Sequence, residues 1–250
     1  IFHGLSQVRD RSFYFFWKGD KVPKLDYYKR KHQKIEDTIR SAKNSPDDAM
    51  SVLTNEKIPS HNPFYQYVLK EMCGGMTHCE FQNSITKTVN PMDYIENNNV
   101  KYSEVSKWLL KNGFDKEAAK AMMIHNKLEA GNNVMRRLVT IPKDYIGAFV
   151  GHLPFELAHP DLDRYLTIRE CLTIMGLPDD FVLQGGKKNL NHICQNVPVT
   201  TASDMADNVL RYVSGYMDNQ LIDTDFLVQD NKSQENFYEK SPLQLDQFMV

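Results

Sequence analysis

No apolar run in this sequence approaches the roughly 20 residues that a membrane-spanning helix needs, and the N-terminus lacks the charged-then-apolar layout of a secretory signal. Cysteine is scarce: Cys73, Cys79, Cys171 and Cys194 are the only four in 250 residues, too few and too unevenly spaced for the disulfide framework of a secreted domain. Five residues separate the closest pair, and no second Cys or His pair stands at zinc-site spacing, so reduced thiols and no metal are expected. A dominant charge is also missing. The net charge is −2, and no global basic field announces nucleic acid. These absences leave a globular chain of cytoplasmic type, 41% hydrophobic and 25% charged, large enough for one large or two small packed units. Its first residue is Ile1, in the middle of an expected element, which suggests a fragment or a processed product.

The charge that is present is unevenly distributed. Residues 18–43 hold nine Lys or Arg against four Asp or Glu, whereas residues 220–250 hold six acidic residues against Lys232 and Lys240. One end of the chain suits phosphate, and the other repels it. Residues 12–17, Ser-Phe-Tyr-Phe-Phe-Trp, read as a short strand buried on both faces. Residues 24–43, with Leu25, Tyr28, Ile35 and Ile39 at loosely helical spacing, read as an exposed helix. Residues 55–99 are rich in Asn, Pro and Gly, and the pairs Asn62-Pro63 and Asn90-Pro91 predict loops and short elements. Apolar residues at helical intervals predict two linked helices over 103–110 and 116–128, separated by Asn112-Gly113. Short strands and turns are expected over 137–155.

The sharpest local signal is Thr167-Ile168-Arg169-Glu170. A Thr hydroxyl can accept from the backbone N–H three residues on while Glu170 reaches back, which starts a helix that Gly176 and Pro178 stop. A last helix is predicted from Thr201 to about Met217, with Ala202, Met205, Ala206, Val209, Leu210 and Val213 on one apolar face. Beyond Asn219 the chain is polar enough to be partly disordered.

Three separated segments then carry a resemblance. Gln7-Val8-Arg9-Asp10-Arg11 precedes the aromatic run; Arg164-Tyr165-Leu166-Thr167-Ile168-Arg169-Glu170 follows His159-Pro160 and precedes Gly176-Leu177-Pro178-Asp179-Asp180-Phe181; Cys194-Gln195-Asn196-Val197-Pro198 precedes the last helix. In this order they resemble the Gln-x-Arg-x-Arg, Arg-x-Leu-Thr-x-Arg-Glu and Gly-Asn-Ala/Ser-Val-Pro motifs of phage-like DNA cytosine-5 methyltransferases. The third departs from its pattern, with Cys194 in place of Gly, Gln195 in place of Asn, and Asn196 in the small-residue position.

The resemblance implies an α/β fold: the C-terminal part of a Rossmann-like, S-adenosylmethionine-dependent methyltransferase domain with an inserted mixed target-recognition region. Residues 1–17 would end the catalytic domain, 18–157 form the recognition region, 158–218 return to the catalytic domain, and 219–250 make an acidic tail. Arg11 would contact the flipped cytosine, with Arg9 and Gln7 in support. A fixed guanidinium stabilises the charge that nucleophilic attack pushes onto the ring. Two solvated arginines on one edge are the plain alternative. The second motif would pack the recognition region against the catalytic domain, so Arg169 and Glu170 are read as structural. Gln195, Asn196 and Val197 would close the S-adenosylmethionine pocket, or else form a loop amide capping the next helix.

Lys29, Arg30, Lys31 and Lys34, with Arg136 and Arg137, are candidates for phosphate contact on double-stranded DNA, against the alternative of a solvated face. No cysteine follows a proline and no Glu-Asn-Val occurs, so the family's nucleophile and its assisting glutamate are expected in an N-terminal catalytic portion or subunit. The chain alone is then expected to be inactive, in a bacterial or phage-infected cytoplasm. The other readings are the specificity subunit of a split methyltransferase and a non-catalytic DNA-binding or interaction protein.

Overall fold

The computed structural model describes residues 3–134, 138–217, 221–224, 227, 229 and 237–239. Two short strands, β1 (Val22–Pro23) and β2 (Tyr27–Lys29), lead into the six-residue helix α1 (Ile35–Arg40). The long exposed helix expected over 24–43 is therefore replaced by extended chain and one short helix. Tyr28, Ile35 and Ile39 are buried, as their shared helical face suggests, but Tyr28 is held in the strand β2 and only Ile35 and Ile39 lie in a helix.

Three short helices in succession start on side-chain caps. Asn62 accepts from the backbone of Phe64 and Tyr65 ahead of α2 (Pro63–Tyr67), which runs into a π-helical turn at Val68–Met72. Thr77 and Glu80 form a reciprocal capping box on α3 (His78–Ser84), and Asn90 caps α4 (Pro91–Asn97). Both Asn-Pro pairs thus open helices: Asn supplies the acceptor, and Pro at the first helical position lacks only an N–H that would be orphaned anyway. The expected helical pair is present as α5 (Tyr102–Lys111) and α6 (Asp115–Glu129). Val105 and Leu109 of the first and Ala118, Ala121 and Ile124 of the second are buried, in one core with Phe64, Phe81 and Ile141.

A second core gathers Ile35 and Ile39 with Phe149, Leu166, Leu172 and Ile193. It is organised by α7 (Ile168–Ile174), whose Thr167–Glu170 capping box forms as expected and which ends at Gly176 with φ 73°. Residues 157–167 stitch the two cores together. Ala158 and Tyr165 pair across a turn and enter the first core, while Leu157 and Leu166 enter the second. Over 137–155 the described chain makes isolated bridges, Ile141 with Val89 and Ile146 with Gln7, rather than continuous strands.

The chain then forms α8 (Leu190–Gln195) and α9 (Val199–Val213). Two strands return: β3 (Leu221–Ile222) pairs antiparallel with β1, and β4 (Phe237–Glu239) pairs parallel with β2. Most of the acidic tail lies outside the described residues. The architecture is mixed α/β, and among the described residues the strands make two two-stranded pairs.

Two elements differ sharply from expectation. Residues 12–17 form no strand, and Tyr14 and Phe16 are 83% and 95% exposed. A strand buried on both faces needs neighbours on both edges and covering layers, and none of the described elements supplies them. The second is α9, which docks through its polar side. Asp204 and Asn208 are buried with Met205, whereas Leu210 and Val213 of the predicted core face are 65% and 76% exposed, and Ala202, Ala206 and Val209 lie outward as well.

Candidate functional site

The Gln-x-Arg-x-Arg segment is extended and pinned beside Ile146: the Val8 N–H donates to the Ile146 carbonyl at 2.9 Å, and the Ile146 N–H donates to Ser6 at 2.9 Å. Extended geometry sends alternate side chains to opposite sides. Gln7 is buried, and its amide donates to the Ile174 carbonyl at 3.5 Å and to Met175 Sδ at 3.3 Å, at the end of α7. Arg9 donates from Nη1 to the Phe149 carbonyl at 2.8 Å and from Nη2 to the Cys194 carbonyl. Its pKa is lowered first by burial and then by the nearby charge of Arg11. Arg11 is exposed and, among the described residues, donates to the Asp10 carbonyl alone, at 2.8 Å. Thus one segment meets the end of the second motif through Gln7 and the third motif through Arg9, and leaves the Arg11 guanidinium directed to solvent.

The third motif turns immediately beyond this contact. Gln195 and Asn196 are exposed, Val197 is half-buried, and the Val199 N–H donates to the Met175 carbonyl at 3.3 Å. Gly176 sits at the junction: a Cβ there would stand 3.7 Å from Val199 and 3.8 Å from Leu5, so the three motifs meet around it. In the first turn of α9, Thr200 Oγ1 is buried with no hydrogen-bond partner among the described residues.

The second motif is an ion-pair hub. Glu170 accepts from Arg164 on both oxygens (2.7 and 3.0 Å), from Asn44 at 2.8 Å and from the Thr167 backbone at 2.8 Å. Arg169 makes a two-point contact with Asp48 at 2.8 and 2.9 Å, and that guanidinium holds the Asp48 carboxyl well below the usual carboxylate range. Beside the hub, the His159 backbone carbonyl accepts from His78 Nε2 at 2.8 Å, while His78 Nδ1 faces the Tyr65 hydroxyl at 3.0 Å. Burial lowers the His159 pKa, which favours the neutral ring. These groups join α7, the 157–167 hairpin and the chain around Asn44 and Asp48, and through Tyr65 and His78 they tie the hairpin to α2 and α3.

Among the phosphate candidates, Lys29, Lys31 and Lys34 are exposed. Arg30 is instead committed within the chain: both terminal nitrogens meet Asp204, at 2.6 and 2.7 Å, and His3 Nδ1 reaches the same carboxylate at 3.0 Å. Burial alone would raise the Asp204 carboxyl, but these two partners hold it below the ordinary value. Arg136 and Arg137 lie outside the described residues. Sequence reading missed Asp204 and Asn208, which join α9 to β2 and the turn before it, Asn208 by two hydrogen bonds with the Asp26 backbone at 2.8 and 2.9 Å. The available signal was Asp204, Asn208 and Arg211 at helical spacing, a polar stripe beside the apolar one.

Three of the four thiols sit where the thiolate is disfavoured. Burial raises Cys171 well above its ordinary value and Cys194 to about 11, and Cys79 is raised by burial and neighbouring carboxylates. Among the described residues no group of three or more His, Cys, Asp or Glu gathers to hold a metal, and no helix is long and apolar enough to cross a membrane.

A family model for C-5 cytosine-specific DNA methylases, enzymes that act on DNA with S-adenosylmethionine, matches residues 2–211. No curated protein and no solved structure matches the chain. The match spans all three motifs, and with them the junction at Gly176, so the chain belongs to the C-5 cytosine-specific DNA methylase family.

Proposed function

We propose that this chain is the DNA-recognition and closing part of a cytosine-5 methyltransferase, and that it works with an N-terminal catalytic portion, on the same polypeptide or as a separate subunit, that carries the nucleophilic cysteine. In this reading residues 1–17 and 158–218 complete a Rossmann-like domain, and the first helical core with the chain around it is the recognition region. The observation that carries the reading is Arg9, whose guanidinium ties the Phe149 and Cys194 carbonyls together and leaves Arg11 free beside them.

Each residue then has a part. Arg11 donates to the flipped cytosine as attack on carbon 6 pushes negative charge onto the ring, and it acts best where water is excluded. Arg9 and Gln7 are positioning residues, since both are held by backbone and sulfur acceptors inside the chain. The exposed amides of Gln195 and Asn196 and the unpartnered Thr200 hydroxyl fit the charged amino-acid end of S-adenosylmethionine. When bound, that cofactor supplies an electrophilic methyl group on a sulfonium. Lys29, Lys31 and Lys34 offer exposed cations to the duplex backbone.

The apolar face of α9 and the exposed Phe13, Tyr14 and Phe16 are the surface on which the catalytic portion docks. They favour the partnered reading over a self-sufficient DNA-binding protein, which gains nothing from leaving such faces in water. The test uses a cytosine-5 methyltransferase truncated just before its own Gln-x-Arg-x-Arg motif. It is expected to bind this chain, and Leu210→Asp with Val213→Asp is expected to weaken association at least ~10-fold, since ~1.4 kcal/mol at an interface centre suffices. Both sites are solvent-exposed, so the unfolding midpoint of the chain alone stays unchanged. Equal binding by the double variant contradicts the docking face, and no binding by the unaltered chain contradicts the partner.

A further inference from the structure

We propose that α6 is a second DNA-binding element, which holds duplex phosphates on an exposed row of lysines separate from the Lys29–Lys34 region. The inference rests on the recognition role proposed above and assigns it a surface. At about 100° per residue, Lys116, Lys120 and Lys127 fall within roughly 40° of one another on the helix, along about 16 Å of its length. All three are exposed, with Met123 between them on the same strip.

The acidic residues of the same helix stand aside. Asp115, Glu117 and Glu129 lie roughly 80–160° around from the centre of the row, by the same helical geometry. Among the described residues no carboxylate comes within 4 Å of any of the three lysines; Lys120 alone has a partner, with Nζ 5.8 Å from the centre of the Phe64 ring. A surface helix stabilised by its own charges would instead pair them at i,i+4.

The row is also rigidly mounted. Ala118, Ala121 and Ile124 are buried on the other side of α6, and Ser106 of α5 donates to the Ala118 carbonyl at 2.9 Å. A packed helix holds its cations in register with a repeating polyanion at a smaller entropic cost than a loop does. Duplex DNA offers such a repeat, with one charge per ~1.7 Å of axis. A lipid surface would call for a broad apolar strip beside the cations, and here the row itself contains only Met123.

The experiment measures binding of the full chain to unrelated 30-base-pair duplexes across a salt series, for the unaltered protein and for K116Q/K120Q/K127Q. Each neutralised phosphate contributes about 0.9 to the slope of log affinity against log salt, so the triple variant should lose roughly 2.7. Between 50 and 200 mM salt, the unaltered protein then weakens roughly 40-fold more than the variant does. The loss should be the same on every duplex, as a backbone contact requires, with an unchanged unfolding midpoint because the sites are exposed. Binding by both proteins with equal slopes overturns the lysine row and leaves the recognition role standing. Failure of the unaltered chain to bind any duplex overturns the recognition role itself.

Discussion

Replacing Glu170 by Ala is expected to destabilise the fold by about 3–5 kcal/mol, the range for removing one member of a buried ion pair. Glu170 is 1% exposed, and four donors converge on it: two Arg164 nitrogens, the Asn44 amide and the Thr167 backbone N–H. Truncation leaves a partly buried guanidinium without its counter-charge, though still bonded to the Tyr165 carbonyl at 2.9 Å, and an orphaned N–H at the start of α7. Arg169→Ala should cost less, about 1.5–3 kcal/mol for a charged hydrogen-bond pair, because the Asp48 side chain left behind is 20% exposed and water can solvate it. Urea unfolding at constant m-value measures both. If Glu170→Ala costs no more than Arg169→Ala, the hub is not what holds α7 to the hairpin.

The second large effect is on catalysis. In an enzyme assembled from this chain and a catalytic portion, Arg11→Ala should lower kcat by about 10²–10³, the cost of removing one donor from developing negative charge. Its stability should stay near that of the unaltered chain, because the Arg11 side chain is exposed and among the described residues bonds only to the neighbouring Asp10 carbonyl. Arg9→Ala should behave in the opposite sense at the level of the fold. It deprives the Phe149 and Cys194 carbonyls of their donor and is expected to cost about 1.5–3 kcal/mol. Arg11→Lys keeps the charge but loses the planar fork, so an intermediate kcat is expected. An unaltered kcat in Arg11→Ala would return Arg11 to an ordinary solvated side chain.

What could be read from the sequence follows the range of the interactions involved. The Thr167–Glu170 capping box and the Gly176 stop were legible because both are settled within one or two turns of chain. The α5–α6 pair was legible because each helix buries one regular stripe. Asn62-Pro63 and Asn90-Pro91 marked loops and short elements without identifying helix starts, because the same dipeptide serves a turn or a helix start, and the choice depends on whether the following residues find a core. The aromatic run at 12–17 was misread because strand character belongs to the sheet around it, and its neighbours are not among the described elements. For α9 the apolar stripe was found, but periodicity does not say which body a stripe faces. Pairing of Asp204 with Arg30 and of Asn208 with Asp26 turns that helix the other way within this chain. At the candidate site, the motifs singled out Gln7, Arg9 and the Cys194–Asn196 segment separately, and the contact between Arg9 and the Cys194 carbonyl comes from the fold. The division of labour between a tethered Arg9 and a free Arg11 depends on carbonyls 140 and 185 residues away in sequence, which no local pattern carries.

The most direct measurement is transfer of a labelled methyl group from S-adenosylmethionine to duplex DNA, by this chain alone and by this chain combined with a catalytic portion that carries the Pro-Cys loop. The account predicts no incorporation with the chain alone and cytosine methylation on combination. Incorporation by the chain alone would contradict it, because a nucleophile would then have to reside among Cys73, Cys79, Cys171 and Cys194.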